Sequence, residues 1–313
     1  MTSFRRVSVA SLVATFLLVA VGGLVRATKS GLGCGTDWPH CSGRLVPSLE
    51  TRAEIIEFSH RLTASVVVIL LAVLALLAVR HYRRSPAILW PAIGAFVLVM
   101  WQAILGMIVV KLELEAESVV LHLGTALALL ATLVYLVAAA HVAGGGVPSP
   151  DRSLTKRAGL AGGAVLILML VGSYVTGREA GYVFSDWPLM GGRLVPDLGV
   201  ELYAIHFLHR ALAVIVGGIV VAVTVPVIRK RAEQPIPARL AIVALAGFAA
   251  EVLVGAGNVW TALNSALVTV HLAIGAVIYS CLVGIAVVCH PALQTVRQPV
   301  VSTQHPILEG KLT

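Results

Sequence analysis

Charge is what this 313-residue chain has least of: only 12% of its residues are Asp, Glu, Lys or Arg. A soluble globular protein carries about twice that fraction. The deficit excludes an ordinary water-soluble domain, and the 58% share of hydrophobic residues fills the gap. These residues gather into apolar runs of roughly 20, the length that spans a bilayer as a helix. Eight runs lie at about 7–26, 55–79, 87–110, 118–140, 158–176, 202–228, 239–258 and 267–289. They leave no soluble domain of any size. Acids and bases are scarce at mid-membrane too, Glu251 in the seventh run being the main exception. That scarcity argues against a transporter's intramembrane charges. It also leaves too few acids and thiolates for a zinc cage.

What charge there is has a pattern. Arg5 and Arg6, then Arg80, Arg83 and Arg84, then Arg152, Lys156 and Arg157, then Arg229, Lys230, Arg231 and Arg239 all fall on one side of eight alternating spans. The opposite loops hold most acids: Asp37, Glu50, Glu54, Glu113, Glu115, Glu117, Glu179, Asp186, Asp197 and Glu201. The positive-inside rule puts both termini of this multi-pass cell-membrane protein in the cytoplasm. The net charge of +8 is therefore a topology signal and not a nucleic-acid footprint. The first run follows Phe4-Arg5-Arg6 but is too long for a signal peptide's apolar region, so it reads as a retained span.

Cysteine is also scarce, with four in the chain. Cys34 and Cys41 sit in the first outer loop, facing an oxidising compartment, where they can pair or remain free thiols. Cys281 and Cys289, on the last span, lie roughly 12 Å apart along a helix, too far to bridge.

The chain is doubled. "DWPHCSGRLVP" at 37–47 matches "DWPLMGGRLVP" at 186–196, and His60, His122, Trp38 and Arg44 each have a counterpart 149 residues on. Val25, Ser30 and Gly31 fit Val175, Ala180 and Gly181 with a shift of 150, so one residue was gained or lost in the outer loop. Four spans per half, an even number, make the repeats parallel. The expected architecture is an all-α membrane protein of eight transmembrane helices in two parallel-repeat four-helix bundles. The halves are residues 1–141 and 158–290, joined by a Gly- and Pro-rich cytoplasmic linker at 142–157 and followed by a loose cytoplasmic tail at 291–313. Such a linker composition is flexible.

Ten histidines are present. His40, His81, His141, His290 and His305 fall in loops, span ends or the tail and read as solvated. His60, His122, His209 and His271 fall near the outer start of even-numbered spans, at one depth, with His206 a turn before His209. Ionisable groups at membrane depth face the bundle interior. Paired neutral imidazoles suit iron, copper or zinc. One histidine on each of two helices of a four-helix bundle resembles a bis-histidine haem site. Arg61 and Arg210 each follow a histidine and either pair with haem propionates or snorkel to the interface. Glu57, three residues before His60, lies on the same helix face, either aimed into that pocket or solvated at the span's end. At its place the second half has His206, available to hydrogen-bond or as an alternative ligand. The asymmetry suggests chemistry in the first half and an electron-transfer cofactor in the second.

"GGLVRATKSGLGCGTDWPHCSGRLVP", "EFSHR", "LHLG", "HFLHR" and "VHL" resemble the heme A synthase family over almost the whole chain. The resemblance implies oxidation of the C8 methyl group of haem O to a formyl group in two steps, giving haem A for cytochrome oxidase. It implies that His60 and His122 ligate the substrate haem, that His209 and His271 hold a resident haem b near the outer face, and that Glu57 is essential to turnover. Cys34 and Cys41 match the family's outer-loop pair. Some members carry a second pair in the later loop; here "GYVFSDWPLMGG" has none, so packing must hold that loop. The implied partners are the bilayer, haem O as substrate with haem O synthase as its source, and an unidentified electron donor. Oxygen comes either from O2, which requires His60 or His122 to leave the iron, or from water, with Glu57 as base. The alternative function is a dihaem b membrane cytochrome passing electrons from quinol.

Overall fold

A computed structural model describes residues 3–142 and 150–296. Residues 143–149 of the expected linker and 297–313 of the expected tail, with His305, lie outside the described residues. Eight long helices make up nearly all of the rest: α1 (Ser3–Ala27), α2 (Arg52–His81), α3 (Pro86–Lys111), α4 (Ala116–Val142), α5 (Arg152–Gly177), α6 (Glu201–Arg229), α7 (Pro235–Trp260) and α8 (Ser265–Val288). Each coincides with one expected run and is long and apolar enough to cross a membrane. In hydrocarbon a chain must satisfy its own backbone groups, and a helix does so within one segment.

Local chemistry sets where helices begin. The Thr51 side chain accepts the Glu54 N–H at 3.1 Å to cap α2, Asp151 accepts from Leu154 at 2.9 Å to cap α5, and Asn264 accepts from Ala266 at 3.0 Å to cap α8. Helices α3 and α7 open on Pro86 and Pro235, where a missing N–H costs nothing. The Asp151 cap corrects the expected linker: Arg152, Lys156 and Arg157 are already helical.

Helices α1 to α4 form a closed ring, each packed on two neighbours, and α5 to α8 repeat it. The rings meet where α1 packs on α8, α4 on α5, and α4 on α8. Exchanging the rings turns the first contact into the second and the third into itself, as two parallel repeats about one axis require. Backbone details repeat as well. Lys29 and Glu179, 150 residues apart, both take the left-handed conformation, and Cys41–Arg44 and Met190–Arg193 make matching short bridges in the two outer loops.

Each ring is tightly packed at only one end. In the first, Val67, Leu71, Leu74, Ile88, Leu133 and Leu136 are fully enclosed; in the second, Val220, Ala241, Ile278 and Leu282 are. That end carries the basic connections. At the opposite end, where α2, α4, α6 and α8 begin, the buried side chains include Glu57, Gln102, His206 and Asn258. The segment expected to be a loose tail starts differently: Pro291–Val296 forms a 3-10 turn against α4, with apolar Leu293 buried in the first core.

The halves touch closely at the polar end. A Cβ on Gly177 would lie 2.6 Å from the Ala116 Cβ, so only hydrogen fits between the end of α5 and the start of α4. Overpacking of this kind costs about 1–3 kcal/mol. Gly177→Val should therefore lower the melting temperature of the purified protein, and Ala116→Gly should restore part of the loss. Unchanged melting in Gly177→Val would contradict the packing of the halves.

Candidate functional site

The four repeat-related histidines occupy one setting four times. His60 lies beside Gly22 of α1, His122 beside Gly106 of α3, His209 beside Gly172 of α5, and His271 beside Gly255 of α7. A Cβ added to these glycines would come within 3.2, 3.5, 2.9 and 3.5 Å of the respective Cε1 atoms. Glycine inside a helix costs roughly 1 kcal/mol relative to alanine. Here it makes room for an imidazole ring on the next helix. All four rings are partly buried, in the second or third turn of their helices.

In the first ring His60 of α2 and His122 of α4 stand on helices across the ring from each other. In the second, the His209 and His271 ring centres are 6.5 Å apart. Two metal–imidazole bonds of about 2 Å each, end to end, separate ring centres by roughly 6 Å. The Nδ1 atoms of His60, His122 and His209 are buried without a hydrogen-bond partner. Paired imidazoles, glycine notches and an otherwise apolar bundle fit a bis-histidine haem in each ring.

Glu57 is buried and is not solvated at the span's end. Its Oε2 accepts the Cys34 N–H at 2.7 Å, and its Oε1 accepts from Arg61 Nε at 3.1 Å and Nη2 at 2.5 Å. Arg61 continues outward, donating from Nη1 to the carbonyls of His40 at 2.8 Å, Pro39 at 3.3 Å and Asp37 at 3.4 Å. One carboxylate and one guanidinium thus tie the first outer loop to α2. Cys34 and Cys41 form a disulfide in that loop. Glu54, grouped by its position with the loop acids, is buried and accepts from Ser42 Oγ at 3.0 Å and the Glu50 N–H at 3.1 Å.

The second half repeats the clamp with different atoms. Arg210 donates from Nη1 to the Leu189 carbonyl at 2.9 Å and from Nε to His206 Nε2 at 2.7 Å. A guanidinium only donates, so His206 Nε2 must accept. Its Nδ1 then carries the proton and donates to the Ala180 carbonyl at 2.7 Å. Of the two roles expected for His206, the structure has the hydrogen-bonding one. Phe184 and Met190 take the places of Cys34 and Cys41, and both are buried. Phe184 packs on Tyr203 at 4.7 Å and edge-on to His206 at 5.5 Å. Packing holds this loop, as the missing cysteines required. At its tip the exposed Asp186 accepts from the Gly192 N–H at 2.7 Å and the Gly191 N–H at 2.8 Å, which hold its carboxyl below the usual carboxylate range.

Two residues beside the histidines went unassigned in the sequence. Gln102 is buried and donates to the His122 carbonyl at 3.0 Å and Thr125 Oγ1 at 2.6 Å. Glu251, its counterpart, places Oε2 against Nδ1 of His271 in a close ion-pair contact that lacks the alignment of a hydrogen bond. An acid in an otherwise apolar span was the available signal. Its partner was not legible.

Comparison with known proteins gives a family match over most of the chain. The family profile COX15-CtaA, described as cytochrome oxidase assembly protein, matches residues 5–283. The chain is 29% identical to a protein of Geobacillus kaustophilus named "Heme A synthase", over 92% of each chain. It is 30% identical to one of the same name from Geobacillus thermodenitrificans, over 90% of each. It is also 30% identical to one from Halalkalibacterium halodurans, over 68% of this chain and 72% of that one.

Because Glu54, Glu57 and Arg61 hold the first loop independently of its disulfide, reducing Cys34–Cys41 should loosen the loop without unfolding the bundle. Limited proteolysis should quicken within residues 34–50 while helical circular dichroism and its melting stay the same. Global loss of helix on reduction would contradict this division of labour.

Proposed function

This chain belongs to the COX15-CtaA family of cytochrome oxidase assembly proteins, and we propose that it works as a haem A synthase, an oxidoreductase that converts haem O to haem A. The observation that carries the reading is the four histidines, two per ring, at one end of the bundle, each seated on a glycine of the neighbouring helix. On this reading His60 and His122 of the first ring hold haem O as substrate, and His209 and His271 of the second hold a resident haem b. When bound, the haem iron supplies the electron transfer that side chains lack. The protein's own groups position the C8 methyl group and handle its protons through two successive oxidations.

The difference between the clamps supports this division. Glu57 is an acid beside His60, able to hold or release a proton at its carboxylate oxygens. A positioned acid or base contributes typically about 10²–10⁴-fold in rate. His206 has both ring nitrogens engaged, one donating and one accepting, and so has no free nitrogen for a proton or a metal. Proton handling therefore resides in the first half. The basic connections at the far end support an orientation with both termini cytoplasmic and both sites near the outer face.

Glu57→Gln should retain bound haem but lose about 10²-fold or more of haem O conversion, measured by pigment extraction. Full conversion would remove Glu57 from its role, and a wild-type protein that binds haem but never converts haem O would favour a cytochrome. His209→Ala should abolish the resident haem spectrum. Gly172→Ala should weaken it by displacing the His209 ring, whereas Gly163→Ala, on the same helix with open space at its Cβ, should not. Equal spectra in both alanine variants would overturn the notch.

A further inference from the structure

The repeat places Gln102 of α3 and Glu251 of α7 at equivalent positions, as it does Glu57 and His206. The first ring therefore has its acid on the second helix and an amide on the third. The second ring has its acid on the third. Glu251 is partly buried, its Oε2 meets Nδ1 of His271, and its Oε1 is buried with no hydrogen-bond partner. Taking a carboxylate largely out of water is costly, and the His271 contact offsets part of that cost. In the first ring the His122 Nδ1 has no partner, and Gln102 is turned to the α4 backbone.

We infer that Glu251 is a positioning residue for His271: its carboxylate takes Nδ1, leaves Nε2 for the metal, and poises the second ring's haem at a lower reduction potential than the first's. The inference rests on the reading that His209 and His271 hold a haem. Metal-bound imidazoles commonly donate their other N–H to a carboxylate, which fixes the tautomer and makes the ligand more basic. A more basic ligand and a nearby negative charge both favour ferric over ferrous iron. Only the second ring has such a contact, so the two sites differ in redox poise although their histidines match.

The test is a spectroelectrochemical titration of the full-length, haem-loaded protein at one pH. Glu251→Gln should raise the ferrous-to-ferric ratio of the second-ring haem about tenfold at fixed ambient potential, an upward shift of about 59 mV for one electron. The first-ring haem should stay where it is. Glu251→Asp, which keeps the carboxylate, should fall between wild type and Gln. An unmoved second-ring potential in Gln overturns the inference. If Gln loses the haem, Glu251→Ala is titrated in its place: an unmoved second-ring potential there overturns the inference and an upward shift supports it. His271→Ala separates the two claims. Loss of the second-ring spectrum there, with an unmoved potential in Gln, sinks the role of Glu251 alone. A retained spectrum sinks the ligand assignment and this inference with it.

Discussion

Seating an imidazole against the backbone of the neighbouring helix is the constraint on which the outer half of this molecule depends. Each ring lies against a glycine, most tightly His209 on Gly172 and His60 on Gly22, and each glycine weakens a helix that has no water to compensate its backbone. The tight apolar cores at the other end of both rings offset that weakness. The molecule is divided along the membrane normal: one end packs, and the other holds four histidines, two in each ring. Helix–helix association in lipid relies on close van der Waals contact and small residues. Gly177 on Ala116 follows the same rule where the halves meet.

Above the histidines, the loop between the first and second helices of each ring is fastened by an arginine one residue past His60 or His209. Arg61 and Arg210 reach corresponding loop carbonyls, and their inner partners differ in kind. Glu57 can only accept when ionised, and so it engages the Cys34 N–H. His206 accepts from the arginine and donates to a carbonyl. The same clamp can thus be built with a charged or a neutral partner, provided the loop offers the complementary backbone group. The crosslink is equally exchangeable, with the disulfide of one loop answered by the buried Phe184 and Met190 of the other.

Much of this was legible from residue type and spacing along the chain. Spans follow from run length, the doubled architecture from one register shift, and the depth of the histidines from their place in the even spans. The need for packing in the second loop followed from two missing cysteines. What escaped depends on how helices rotate against each other. Glu251 and His271 are on different helices, and nothing in either run says which faces turn together. Glu54 counted as an outer-loop acid because its neighbours are polar, yet the loop folds back over it. The loop-facing role of Arg61 and Arg210 was hidden for the same reason. Their carbonyl partners come from backbone geometry, which side-chain identity does not encode.

The two rings place their carboxylates differently. The first buries Glu54 and Glu57 near the start of α2, each met by donors: Ser42 and the Glu50 N–H for Glu54, Arg61 and the Cys34 N–H for Glu57. The second has Tyr203 and His206 at those places and carries Glu251 in α7 against His271. Like charges in low dielectric are poorly screened, so each acid there needs donors of its own. Beside the loop, Glu57 is engaged by a guanidinium and a backbone N–H, and so ties the loop to the helix. Glu251 instead meets the Nδ1 of His271, and so bears on a histidine. Two copies of one bundle thus surround matching histidine pairs with differently placed carboxylates.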